Sequence, residues 1–183
     1  NAIENLGSMD TLCTDKTGTL TVGVVGLDGA LDVDGQPSPD VLRWAHLNAG
    51  FQTGLPNPLD EAILAVPHPD TTGMDKLAEI PYDFTRKCLS VVVDSDPGTD
   101  IHPVLITKGA LDHVLDVCSS VRVAGATAPL DPARRAAIDA HFTAWSGKGY
   151  RVLGVAIRDV ARQAEYSVEA DERDLVFVGF LLF

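Results

Sequence analysis

The chain has 183 residues, 45% of them hydrophobic and 22% charged, enough for one or two small domains with a real core. Its net charge of −12 argues against a nucleic-acid surface, which needs clustered Lys and Arg. The longest apolar run, residues 176–183, falls far short of the ~20 residues a membrane helix needs, so no part of this chain is expected to span a membrane.

The N-terminus carries Glu4 and lacks an apolar core segment, so no signal peptide is expected. The cysteines Cys13, Cys88 and Cys118 are far apart, odd in number and without metal spacing. They fit a reducing compartment and are expected to pack as small apolar residues. The five histidines never pair at i, i+4, so none is read as a metal ligand.

Residues 9–14 are short, part apolar and β-prone, and read as a strand. The strand ends in Asp15, and a polar turn with Gly18 in its middle follows. A carboxylate so placed points out of the C-terminal edge of an α/β sheet, where ligands sit. An aspartate there can act as a nucleophile and carry an acyl-phosphate. Related aspartate-nucleophile phosphatases use a second Asp two residues on as acid and base. Here that position is Thr17, which cannot do that work, so a phospho-aspartate is expected to be long-lived.

Residues 20–27 form a second apolar stretch, and 28–38 read as a Gly/Asp/Pro-rich loop and the first domain boundary. Ser38 and Pro39 start a helix that Gly50 stops, and Asn57-Pro58 starts a shorter one through 59–65. After a loop at 66–73 come strands at 77–82, 89–94 and 103–107, the last two as a hairpin. A helix at 110–118, a short strand at 121–123 and a long helix capped by Asp131 follow. The strand at 150–158, a charged loop at 165–174 and a last strand at 175–183 complete the order. Short turns between the middle strands predict an α+β fold, an antiparallel sheet with helices packed on it. The expected layout is an insertion: 1–27 as a piece of one domain, 28–174 as the inserted domain, and 175–183 as the return strand. An apolar strand at 176–183 left exposed at an edge would invite pairing with another copy.

No G-x-x-x-x-G-K-S/T and no G-x-G-x-x-G occurs, which excludes a Walker-type phosphate loop. The seven residues DKTGTLT at 15–21 are instead the phosphorylation signature of P-type ion-pumping ATPases, and the chain resembles that family from end to end. Four further stretches carry the resemblance in the family's order: TGLPNPLDEA at 53–62, PYDFTRK at 81–87, KGA at 108–110 and GYRVL at 149–153. NLGSMD at 5–10, QTGL at 52–55 and IPYDF at 80–84 look most like the bacterial magnesium-transporting type, with proton and calcium pumps as near relatives.

The resemblance implies a nucleotide-binding domain, flanked by fragments of an α/β phosphorylation domain, with ATP and Mg2+ as cofactors. Phe84, between charged residues just after a strand, would stack on adenine. Lys108, at a strand end, would reach adenine or the phosphates, and Gly109 would allow close approach of ligand and backbone. Asp60 matches the family's adenine-side carboxylate, with Glu61 beside it as the other choice. Arg86, Lys87 and Arg151 are candidates for the phosphate tail. Asp15 would be the nucleophile, with Lys16 and Thr19 steadying the phosphoryl oxygens. Asp15 and the Thr17 backbone carbonyl would help hold Mg2+. The partners implied are ATP and the rest of a pump: its phosphorylation, actuator and transmembrane domains, at a bacterial plasma membrane. The actuator Thr-Gly-Glu loop and the Gly-Asp-Gly-x-x-Asn-Asp segment do not occur here, so this chain alone is expected to bind nucleotide without turning it over. A free-standing aspartate-nucleophile (haloacid dehalogenase-like) phosphatase and a non-catalytic nucleotide-binding module are the alternatives.

Overall fold

A computed structural model describes residues 10–11, 13–15, 24–54, 57–67, 70–94 and 102–183. Among these, eight strands and five helices follow in the order β1 (Gly29–Leu31), α1 (Pro39–Phe51), α2 (Pro58–Ala65), β2 (Asp75–Ile80), β3 (Cys88–Asp94), β4 (Val104–Ala110), α3 (Leu111–Asp116), β5 (Cys118–Val123), β6 (Ala126–Pro129), α4 (Pro132–Ser146), β7 (Val152–Asp159), α5 (Val168–Asp171) and β8 (Leu175–Leu182).

The strands form one sheet in the order β2-β3-β4-β7-β8-β5-β6, with β1 also on β8. All pairings are antiparallel except β5 with β8, which is parallel. The predicted antiparallel α+β sheet is therefore present, with one parallel join.

Helices cover both faces. Side chains alternate across a strand, so β3, buried at every position, feeds two cores. Leu89, Val91 and Val93 pack with Val41, Ala45 and Leu47 of α1 and Ile63 of α2. Cys88 and Val92 face the other way, with Leu111, Val114 and Leu115 of α3 and Ile138 of α4. The three main helices start at side-chain caps with proline next in line: Ser38, Asn57 and Asp131 accept from Val41, Leu59 and Arg134.

The last strand departs from expectation. Residues 175–182, expected as a return strand, lie within the sheet. β8 lies between β7 and β5, and its Phe177 and Phe180 are fully buried, 5.2 Å apart edge to face. Burying each ring contributes about 1.5–3 kcal/mol, so the apolar run is a central strand and no exposed edge. Gly179 is required there. A Cβ at that position would come within 2.0 Å of the Leu31 carbonyl oxygen and 2.8 Å of Val41 Cγ2.

Other differences are smaller. The loop expected at 28–38 contains β1, and the charged stretch 165–174 contains α5. The expected strand at 9–14 is not seen: the described residues Asp10, Thr11, Cys13 and Thr14 are exposed and outside any strand, as is Asp15. Cys13 is exposed where packing was expected, whereas Cys88 is buried and Cys118 partly so. Among the described residues no helix is long and apolar enough to cross a membrane.

Candidate functional site: an aromatic turn at one end of the sheet

Three strand ends converge at one end of the sheet. Cys88 opens β3 opposite Gly109 in β4, and Gly109 lies opposite Gly154 in β7. The turn before β3 holds Phe84, the end of β4 holds Lys108 and Gly109, and the residue before β7 is Arg151. The topology thus brings three separated stretches of sequence to one place.

The turn at 81–87 is built by Asp83. Its Oδ1 accepts from the backbone N–H of Thr85 at 2.8 Å and of Arg86 at 2.7 Å, and its carbonyl accepts from Lys87 N at 2.7 Å. These amides, Arg86's first, hold the Asp83 carboxyl below its ordinary value. Lys87 closes the turn at φ +51°. Phe84 at the apex is 83% exposed, so it is not a core residue. Its ring meets the edge of Tyr82 at 5.4 Å and is otherwise open. A large apolar ring held out into water on a stiff turn is a surface on which a flat ligand can stack.

Lys108 and Asp60 are brought together. Asp60 lies on α2 and Lys108 on β4; both are buried, and Nζ donates to Asp60 Oδ1. Glu61 faces outward. Burial pushes the Lys108 pKa down, against the opposing pull of Asp60. On the same face Asn48 of α1, fully buried, donates from Nδ2 to the Ile106 carbonyl at 2.8 Å and to that of Leu89 at 3.3 Å.

Gly109 has a local reason to lack a side chain. A Cβ there would lie 2.4 Å from the Lys87 carbonyl oxygen and 2.5 Å from Cys88 Cβ. The space is filled by the foot of the aromatic turn, whose Lys87 carbonyl accepts from Ala110 N at 3.0 Å. Expected close approach to a ligand is here an approach of the chain to itself.

The three cations differ. Arg86 is committed to the protein: Nη1 donates to Glu172 and lies 3.4 Å from Cys88 Sγ, and Nη2 donates to the Pro81 carbonyl at 2.8 Å. Arg86, expected as a candidate for the phosphate tail, is thus engaged by Glu172 and Pro81. Lys87 and Arg151 have exposed side chains, with Arg151 exchanging backbone hydrogen bonds with Phe183 at 2.9 Å. Burial, then the charge of Glu172, push the Cys88 thiol up to about 11.

The residues present suit a nucleotide: an open ring, and two exposed cations at the same sheet end. For Mg2+ the fit is not made. Asp15 is exposed, Lys16, Thr17 and Thr19 lie outside the described residues, and no cluster of three or more His, Cys, Asp or Glu side chains occurs among the described residues. Sequence reasoning missed Asp83, Asn48 and Glu172. The Asp-x-Thr pattern of the turn could have found Asp83; Asn48 and Glu172 bind strands far from them in sequence and carry no local signal.

A family model described as "P-type ATPase, cytoplasmic domain N" matches residues 69–181. The chain is 41% identical over 189 residues to a protein of Escherichia coli (strain K12) named "Magnesium-transporting ATPase, P-type 1", covering 100% of this chain and 21% of that protein. A protein of the same name from Salmonella typhimurium (strain 14028s / SGSC 2262) is 41% identical over 191 residues, with 100% and 20% covered. "Calcium-transporting ATPase 1" of Lactococcus lactis subsp. lactis (strain IL1403) is 30% identical over 200 residues, with 97% and 22% covered. The chain spans about a fifth of the length of these curated relatives. With the model matched over more than half of its residues, the chain belongs to the P-type ATPase family, as its cytoplasmic domain N.

Proposed function

We propose that this chain is the nucleotide-binding piece of a bacterial plasma-membrane cation pump, with Mg2+ as the transported ion, and that adenine stacks on Phe84. The observation that carries the binding site is the exposed Phe84 ring on a turn held by Asp83 at the converging strand ends. Lys87 and Arg151, the exposed cations of that end, meet the phosphate tail as a point charge and a fork of donors. Lys108, paired with Asp60 at the end of β4, is the polar partner of adenine in this reading. Asp15 is the nucleophile of the whole pump and forms an aspartyl-phosphate there, with Lys16 and Thr19 at the phosphoryl oxygens. Thr17 withholds the acid/base group that would hydrolyse the acyl-phosphate quickly. Asp15 and the Thr17 carbonyl would hold Mg2+ only together with residues of the remaining pump, and the ion would there neutralise phosphate charge. The magnesium choice rests on relatives' names and on the stretches quoted above. This chain by itself binds ATP without turnover.

An amide-shift titration with ATP, ADP and AMP tests the site. Expected dissociation constants are on the order of 0.1–1 mM, about 4–5 kcal/mol. All three nucleotides should move Phe84, Lys108 and Gly109. Phe84→Ala should remove about 1–3 kcal/mol of binding while leaving the unfolding midpoint unchanged. Shifts that avoid this cluster would sink the assignment.

A further inference from the structure

Glu172 is a buried carboxylate with no place in the nucleotide site as read so far. It is 4% exposed and follows α5 directly. Burying a carboxylate is costly unless it is paired and hydrogen-bonded. Glu172 is both. Oε2 takes Arg86 Nη1, and Oε1 accepts from Ser90 Oγ at 2.6 Å, whose hydroxyl lies 2.7 Å from Thr107 Oγ1. The chain of contacts runs from the aromatic turn, through Glu172, to the residue beside Lys108.

The bland reading is that Glu172 merely ties its own segment to the sheet. That segment is already held by others. Arg158 Nη1 donates to the carbonyls of Asp171 at 3.2 Å and Arg173 at 3.0 Å. Gln163 Nε2 and Ser167 N donate to the Asp171 carboxylate at 3.0 and 2.8 Å. The aromatic turn is tied to β4 at its second foot, where Ala110 N donates to the Lys87 carbonyl at 3.0 Å. Asp83 shapes it from within, but Arg86 is the side chain that crosses it, reaching back to Pro81 at its first foot. Glu172 supplies the anion that fixes the other side of the Arg86 guanidinium.

We propose that Glu172 is a positioning residue for nucleotide recognition. By fixing Arg86 it holds the turn at 81–87 so that the Phe84 ring stands out to receive adenine. This rests on the nucleotide reading above. The role is neutral to the phosphates, since Glu172 and Arg86 act on the ring's support.

The test compares the parent chain with Glu172→Gln and Arg86→Lys, each alone and in a Phe84→Ala background, in apo spectra and in AMP and ATP titrations. Gln keeps the shape and removes the charge; Lys keeps the charge and loses the fork, and serves if Glu172→Gln does not fold. In apo spectra the amides of Thr85, Arg86 and Lys87 should shift or broaden while those of α1 do not. Affinity should fall about five- to tenfold, the net worth of one ordinary hydrogen bond, and by the same factor for AMP and ATP. In the Phe84→Ala background that factor should shrink to about one, because the two changes act through one ring. Unchanged turn amides would overturn the proposal, as would a loss that persists without Phe84. If the parent chain binds no AMP, the nucleotide reading and the adenine role fall together, while the apo amides still decide whether Glu172 braces the turn.

Discussion

Lys108 and Asp60 form a buried ion pair that joins the end of β4 to helix α2. Neither side chain can be removed alone without stranding a charge. Lys108→Ala is expected to cost about 3–5 kcal/mol of folding stability, because Asp60 is left buried and unpaired. The double replacement Lys108→Met with Asp60→Leu should recover most of that. Urea unfolding of these two variants, with Lys108→Met and Asp60→Leu each alone, measures it; additive losses would show that the pair is not coupled. The same result decides how a binding loss in Lys108→Ala is to be read.

Gly109→Ala should destabilise by about 1–3 kcal/mol, the usual cost of overpacking. Its new methyl would push on the Lys87 carbonyl and Cys88. Because the push falls on the foot of the aromatic turn, the amides of 84–87 should move further than those of β7. The readout is a denaturant midpoint with an amide spectrum; a stable variant with an unmoved turn would refute the close contact.

Acid stability should depend on Glu79. Burial raises its pKa, but hydrogen bonds from Lys76 and Thr53 outweigh this, so the folded value lies below the ordinary 4.5. Lys76 Nζ sits at 2.5 Å, Thr53 Oγ1 at 2.8 Å and Thr53 N at 3.0 Å from Oε2. As pH falls, the unfolded carboxyl takes its proton first. The stabilisation is therefore complete above the unfolded value and lost as pH falls through the folded one. Glu79→Gln should flatten that part of the stability–pH curve, leaving a neutral-pH deficit. An unchanged acid limb would count against the pairing.

Thiol labelling at pH 7–8 should modify Cys13 first. It is exposed, whereas burial pushes Cys88 up to about 11 and Cys118 up to about 12. A thiol with so little thiolate reacts slowly. Mass spectrometry over time should show one fast adduct, and three only after denaturation. Fast labelling of Cys88 would mean that the turn above it opens.

The helices were legible because their starts are written locally: Ser38-Pro39, Asn57-Pro58 and Asp131-Pro132 each give a cap followed by proline. The central strands were legible from apolar runs bounded by turn residues. β1 was not, since three residues of Gly-Ala-Leu carry no alternation and exist as a strand only because β8 pairs with them. The run 175–183 read as a strand, but nothing in its residues says whether a strand is central or peripheral. That is settled by β7 on one side and β5 and β1 on the other. The motif PYDFTRK marked the aromatic turn, but nothing in it shows that the Arg86 guanidinium meets the Glu172 carboxylate. Glu172 itself lay in a charged stretch that reads as solvated, and its partner stands 86 residues away.

The position of β8 sets an order on synthesis. A ribosome makes β7 and β5 before the strand that lies between them. Until residues 175–182 emerge, the inner edges of β7 and β5 have no partner, and the ring pocket that Phe177 and Phe180 fill stays open. Pairings of such long sequence separation form late. Until β8 is made, those exposed edges are where a chaperone would find a handhold.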